Sequence, residues 1–232
     1  MINYLFDIDG TLTPSRLRID KNFELFFIKW MKNKNVYLVT GSDKEKTVEQ
    51  VGENIWKSAT RVYQSCGNQV WENGEMIKET PFSLNPEMEK KLLFFLKNSN
   101  WKEHFGNHFE QRVGLVNFSI IGRNCPQHKR EEYQQWDNTH LERLKICDAI
   151  MKDFPQIEAS VGGQISIDIY KTGKNKSQVL DDIEGEVYFF GDKMDKGGND
   201  YPIALRLENE NWNYKLFKVN QPTDTWQILQ KI

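Results

Sequence analysis

Apolar residues fall along this chain in short runs and stripes, and their spacing lays out alternating strands and helices. Ile2 to Phe6 reads as a buried strand, and Thr13-Pro14 stops the segment that follows it. Residues 20–33 put Phe23, Phe26, Phe27, Trp30 and Met31 on one helical face. Val36 to Val39 is a second strand, and Lys44 to Ile55 a helix capped by Ser42 or Asp43. Strand and helix in such short alternation predict a parallel sheet covered on both faces.

The pattern then changes. After a strand at Val62 to Gln64 comes a hairpin, Val70-Trp71 with Met76-Ile77 around Asn73-Gly74. A helix from Pro86 to Asn98 leads to strands at 109–113, 115–121 and 164–170, with one long helix from Gln127 to Phe154 between them. Antiparallel strands beside helices predict an α+β insert over residues 81–172. Alternation resumes with a helix from Lys176 to Leu180, a strand from Val187 to Phe190, and a short helix at 200–205. A strand at 214–219 and a terminal helix from Pro222 complete it. The expected fold class is therefore α/β, with a core built from residues 1–80 and 173–232.

Composition narrows the functional classes. The 232 residues carry a formal net charge of -2, so no global positive field waits for nucleic acid or an anionic membrane surface. No apolar stretch approaches the length of a membrane span. The three cysteines, Cys66, Cys125 and Cys147, form no CxxC pair and suit neither a zinc site nor a disulfide framework. Without a basic leader at the N-terminus, the expectation is a soluble cytoplasmic protein. His104 and His108 lack a third ligand and read as surface residues rather than a zinc pair.

The chemistry concentrates at strand ends. Asp7-Ile8-Asp9-Gly10-Thr11-Leu12 sets two carboxylates two positions apart beside a glycine turn. The first can attack phosphorus and the second can move a proton on the departing or arriving oxygen. In an open parallel sheet, ligands bind beyond the carboxyl ends of the strands. Four such places carry polar residues: Asp7 with Asp9, Thr40-Gly41-Ser42, the loop before Lys176, and Asp192 with Asn199-Asp200. Converging acids repel unless a cation sits among them, and hard oxygen ligands select magnesium. Asp7, Asp192 and the Asp9 carbonyl are the expected ligands, with Asp200 or Asn199 behind them. Thr40 or Ser42 can donate to phosphoryl oxygens, and Lys176 can supply fixed positive charge. Taken singly, Thr40-Gly41-Ser42-Asp43 suits a helix N-cap and Lys176 a surface lysine. A calcium loop at the Gly-Gly turn lacks the EF-hand ligand spacing.

Together, DIDGTLT, the strand-end Thr-Gly, the downstream lysine and GDKMDKGGND resemble the haloacid dehalogenase superfamily. The longer stretches LFDIDGTLTPSRLRI, NFSIIGRNCPQHKREEY, SVGGQISIDIY and YFFGDKMDKGGND are similar to the eukaryotic-type phosphomannomutase family. That resemblance implies a Rossmann-like parallel-sheet core with an inserted α+β cap, and a homodimer formed through the cap. It implies a small-molecule sugar phosphate as substrate, with no nucleic acid or membrane partner, magnesium as cofactor and a hexose 1,6-bisphosphate as activator. It also implies a substrate set of Arg16, Arg112, Asn117, Arg123, Arg130, Ser166 and Asp168. Arginine forks grip phosphate, while Asn, Ser and Asp read hydroxyls. The chain departs from the family's usual pattern at Thr40-Gly41-Ser42, Cys66-Gly67-Asn68, Asn175 and the stretch 205–214. The first of these is closer to sugar phosphatases of the superfamily, so hydrolysis of a sugar phosphate is the alternative activity.

Overall fold

A computed structural model describes residues 2–232, and these divide into two compact units, 2–80 with 174–232 and 81–173. The first unit is a seven-stranded sheet. Its strands are β1 (Ile2–Asp7), β2 (Asn35–Val39), β3 (Arg61–Gln64), β4 (Gln69–Glu72) and β5 (Glu75–Glu79), with β10 (Glu186–Gly191) and β11 (Tyr214–Lys218) from the far end of the chain. The spatial order is β11-β10-β1-β2-β3-β4-β5. The first five strands in that order run parallel, and β4 and β5 form an antiparallel edge. β1 is thus central, with β10 and β2 as neighbours.

Both faces of the inner strands β1, β2 and β10 are apolar because successive strand residues alternate sides and both sets are hydrophobic. Tyr4 and Phe6 pack against Phe23, Phe27 and Trp30 of α1 (Lys21–Trp30), with Phe6 stacked on Phe190 at 4.7 Å. Leu5, Val187 and Phe189 face the other way, toward Ile203 and Leu207 of α7 (Tyr201–Asn209). Asp20 caps α1 by accepting from the backbone N–H groups of Asn22 and Phe23.

Two long helices of the sequence pattern are each broken in the fold. The stretch 44–55 divides into α2 (Lys44–Val51) and α3 (Glu53–Ser58) at Gly52, whose φ of 82° no helical residue adopts. The stretch 127–154 divides into α5 (Gln127–His140) and α6 (Glu142–Asp153) at Leu141, left-handed at φ 53°. The segment Lys176–Asp182 is a 3₁₀ helix rather than an α-helix.

The second unit is a four-stranded antiparallel sheet with helices on its apolar side. Its order is β6 (Phe109–Arg112), β7 (Leu115–Phe118), β9 (Ser166–Lys171) and β8 (Ile157–Gly162). The sequence pattern did not mark β8. Phe118, Ile167 and Ile169 point into a core shared with Met88 and Leu92 of α4 (Pro86–Asn98), and with Ile146 and Ile150 of α6. The alternate positions form a polar row across the sheet, where Glu110 pairs with Asn117, Asn117 with Asp168, and Asp168 with Ser160.

In the first unit, Asn68 touches the backbone on both sides of the inserted segment. Its carbonyl accepts from the Thr80 N–H at 2.8 Å, and its Nδ2 donates to the Lys174 carbonyl at 3.3 Å. Gln178 Nε2 supports the arrangement, donating to that carbonyl at 3.2 Å and to Asn68 Oδ1 at 3.3 Å.

Candidate active site

The carboxyl ends of β1, β2 and β10 deliver Asp7, Thr40 and Asp192 to one rim, because these strands are neighbours and parallel. Oxygens of Asp7, Asp192 and Asp200 lie within 4.8 Å of one another. Lys176 Nζ donates to Asp7 Oδ1 at 2.5 Å and to Asp200 Oδ1 at 2.8 Å. All three of these charged groups are buried. Asp200 also accepts from the Lys193 N–H at 3.1 Å, which fixes the glycine-rich loop against the site.

Space around these carboxylates is reserved by glycines. A Cβ on Gly10 would lie 2.4 Å from Asp192 Oδ2, and one on Gly191 would lie 2.7 Å from Asp200 Oδ2. Gly10 also has φ 82°, so both its conformation and its surroundings exclude a side chain.

Burial and the Asp200 carboxylate push the Asp7 carboxyl well above its ordinary value, with Lys176 opposing them. Burial likewise raises Asp192. Burial favours the neutral amine of Lys176, but Asp200 and Asp7 overcome it and hold the ammonium charged. Against the three carboxylates stand the buried Lys176 ammonium and the half-exposed Lys193 ammonium, 3.8 Å from Asp192 Oδ2, which still leaves the rim short of positive charge. Asp192 Oδ1 is buried with no hydrogen-bond partner. An unpartnered buried carboxylate oxygen beside two further carboxylates fits a hard divalent cation such as magnesium. Asp7, Asp192 and Asp200 are the side chains placed to hold it. Asp200, expected behind Asp7 and Asp192, has an oxygen in the same cluster, with Oδ1 also accepting from Lys176 and Oδ2 from the Lys193 N–H. Asn199 lies exposed in the loop before it.

Asp9 is turned differently. Its Oδ1 accepts from the Arg16 N–H at 2.7 Å and from Gln50 Nε2 at 2.8 Å. Gln50, fully buried on α2, also donates to Thr13 Oγ1 at 3.1 Å. Gln50 carries no motif signal, and a lone glutamine on a helix is invisible to pattern reading. Thr40 Oγ1 accepts from the Ser42 N–H at 3.1 Å, so it shapes the turn after β2. Its carbonyl takes the Cys66 N–H at 2.8 Å, and Ser65 N–H bonds the Ser42 carbonyl at 3.0 Å. Ser65 and Cys66 are both left-handed, at φ 49° and 60°. Arg16 is exposed.

The second unit gathers the remaining residues of the substrate set. Glu110 binds two of the arginines: Oε1 accepts from Arg112 Nε at 2.6 Å, and Oε2 from Arg123 Nε at 2.8 Å. Arg123 Nη1 also donates to Ser166 Oγ at 2.7 Å. Asn117 Nδ2 donates to Asp168 Oδ1 at 2.6 Å, while Asn117 Oδ1 is buried without a partner. Arg130 Nη2 donates to the Arg123 carbonyl at 2.8 Å. A Cβ on Gly162 would meet Asp168 Oδ2 at 2.5 Å. His104 and His108 each turn Nδ1 to a backbone carbonyl, at 2.9 and 2.8 Å.

Residues 23–232 match the family described as eukaryotic phosphomannomutase. The chain belongs to that family. The phosphomannomutase of Saccharomyces cerevisiae is 33% identical over 98% of this chain and 92% of its own length. That of Dendrobium officinale is 36% identical over 86% of this chain and 83% of its own length. Among solved structures, a haloacid dehalogenase-like hydrolase from Bacteroides thetaiotaomicron superposes with a TM-score of 0.63 at 13% identity. That likeness covers 99% of this chain and 98% of the other, and it bears on the fold alone. Family membership and the mostly parallel central sheet agree with the Rossmann-like haloacid dehalogenase core expected from the sequence, and the chain is an enzyme of the phosphomannomutase type. Among the described residues no helix is long and apolar enough to cross a membrane.

Proposed function

We propose that the protein is a magnesium-dependent hexose phosphomutase that interconverts mannose-1-phosphate and mannose-6-phosphate, with a hexose 1,6-bisphosphate as activator. The observation that carries this reading is Lys176 seated on Asp7, with Asp9 two residues on, in a chain that aligns with phosphomannomutases over 98% of its length.

Asp7 attacks phosphorus of the bisphosphate, and the bond from phosphorus to the sugar oxygen breaks as Asp9 supplies a proton to that oxygen. In the return step Asp9 takes the proton from a hydroxyl of the sugar monophosphate, whose oxygen attacks phospho-Asp7. The second phosphate of the resulting bisphosphate then goes to Asp7 in the same way. Arg16 N–H and Gln50 Nε2 both occupy Asp9 Oδ1 and so assign the proton to Oδ2. Lys176 keeps positive charge against Asp7 throughout. Magnesium, when bound, neutralises phosphoryl oxygens so that an anionic carboxylate can approach. The arginines of residues 81–173 take the distal phosphate. The reading includes a cytosolic enzyme and a homodimer through the cap; light scattering that returns a monomer mass rejects the dimer.

The strand-end Thr40-Gly41-Ser42 favours a second reading, in which water attacks phospho-Asp7 and the enzyme is a sugar-phosphate phosphatase. One assay decides between them. With mannose-1-phosphate, magnesium and a trace of glucose-1,6-bisphosphate, the mutase yields mannose-6-phosphate. Inorganic phosphate without the isomer rejects it.

A further inference from the structure

Glu110 stands on the polar face of the second unit's sheet, and nothing in the sequence pattern marks it. Its two oxygens are divided between two cations. Oε1 takes Arg112 through Nε and Nη2, each at 2.6 Å, and Oε2 takes Arg123 Nε at 2.8 Å. We propose that Glu110 is a positioning residue for phosphate-ester recognition, aligning Arg112 and Arg123 as one anion-receiving pair with a single excess positive charge. The inference rests on the reading that these arginines receive a phosphate of the sugar phosphate.

Two guanidiniums on adjacent half-buried positions repel, and long side chains lose rotamer freedom when fixed. A carboxylate bridging both Nε positions answers both costs at once. Burial favours the protonated form of Glu110, yet Arg112 and Arg123 hold its carboxyl below the ordinary range, so the bridge stays ionised. Ser166 then fixes the far edge of Arg123 at 2.7 Å. Arg130 supplies the internal contrast, since backbone carbonyls of Arg123 and Cys125 hold it and Glu110 does not. Discrimination follows from the charge balance. An unbridged pair would attract any small anion, whereas an aligned pair of reduced charge rewards an ester that matches its geometry.

Glu110→Gln keeps the shape and removes the charge, while Glu110→Asp keeps the charge and shortens the reach. In calorimetry with inorganic sulfate as the probe, the Gln variant should bind about 3–10-fold tighter than the wild type, and the Asp variant should match the wild type. In turnover of mannose-1-phosphate both variants should show KM raised about 10-fold with kcat within about twofold. Unchanged sulfate affinity and KM in folded variants would overturn the proposal. So would a lower KM in the Gln variant, since Glu110 would then be competing with the phosphate. If the Gln variant does not fold, the Asp variant decides alone through its KM. Should even the wild type fail to turn over mannose phosphates, the functional reading falls while the sulfate titrations still judge Glu110.

Discussion

The two units solve one electrostatic problem with opposite signs. In the first, a buried ammonium, Lys176, bonds to two carboxylates, Asp7 and Asp200, and a third, Asp192, stands beside them. In the second, a half-exposed carboxylate, Glu110, bonds to two guanidiniums, Arg112 and Arg123. Each cluster uses an opposite charge to bring like charges together, and in each the like charges outnumber it; the half-exposed Lys193, 3.8 Å from Asp192, offsets the first only in part. The surplus is negative where a cation fits and positive where an anion fits. The clusters also differ in burial. Removing the bridging charge should therefore cost far more at Lys176 than at Glu110, because water can solvate the second cluster and not the first.

The largest expected effect breaks the first cluster chemically. Asp7→Asn should abolish isomerisation, a loss of at least about 10³-fold, since an amide is not a nucleophile toward phosphorus. Full activity in that variant would sink the phospho-Asp7 route. Next comes Lys176→Met, which strands Asp7 and Asp200 in the interior and should cost about 3–5 kcal/mol of stability in chelator. Thermal melts with and without magnesium should show part of that loss recovered by the metal. Equal melting of variant and wild type in chelator would remove the contrast with Glu110.

A third measurement tests how the cation and a proton compete. Burial and Asp200 raise the affinity of Asp7 for a proton, and a ligated carboxylate must be ionised. Magnesium should therefore bind more tightly as pH rises through the elevated Asp7 range and release a proton on binding. Calorimetry in buffers of different ionisation enthalpy reads this directly, and buffer-independent heats would contradict it. The smallest effect belongs to the second cluster. Glu110 has a lowered native proton affinity, so its contribution is complete above the ordinary glutamate range and fades as pH falls through the lowered value. The Glu110→Gln variant should lack that acid-side part of the melting profile; identical profiles would show that the arginines do not depend on the bridge.

Sequence pattern revealed the core more readily than the insert for a physical reason. Parallel strands buried on both faces are continuous apolar runs, as at Tyr4-Leu5-Phe6, and they announce themselves. β8 carries Ala159, Ser160 and Gly162 on a half-polar sheet, so its alternation is faint and it escaped notice. Leu141 ends a helix in a conformation that leucine rarely takes, which no periodicity signals. Asp7, Asp9 and Asp192 stand in local motifs that pattern reading can single out, whereas Lys176, which alone suits a surface lysine, is buried against Asp7 from 169 positions away. Gln50 and Glu110 were not legible, since each matters only through partners brought near by folding: Gln50 through Asp9, 41 positions away, and Glu110 through Arg123, 13 positions away.

Asn68 has a consequence for the history of the chain. With the backbone on both sides of the insert tied to one side chain and its carbonyl, the entire stretch 81–173 is, to the sheet, a tight loop. Closing a loop of ninety-odd residues costs entropy that grows only with the logarithm of its length, so a change in that length shifts the cost little. Such a junction makes the inserted piece a replaceable cassette: lengthening, shortening or exchanging it costs the catalytic sheet almost nothing. The insert and the sheet can thus change on separate clocks.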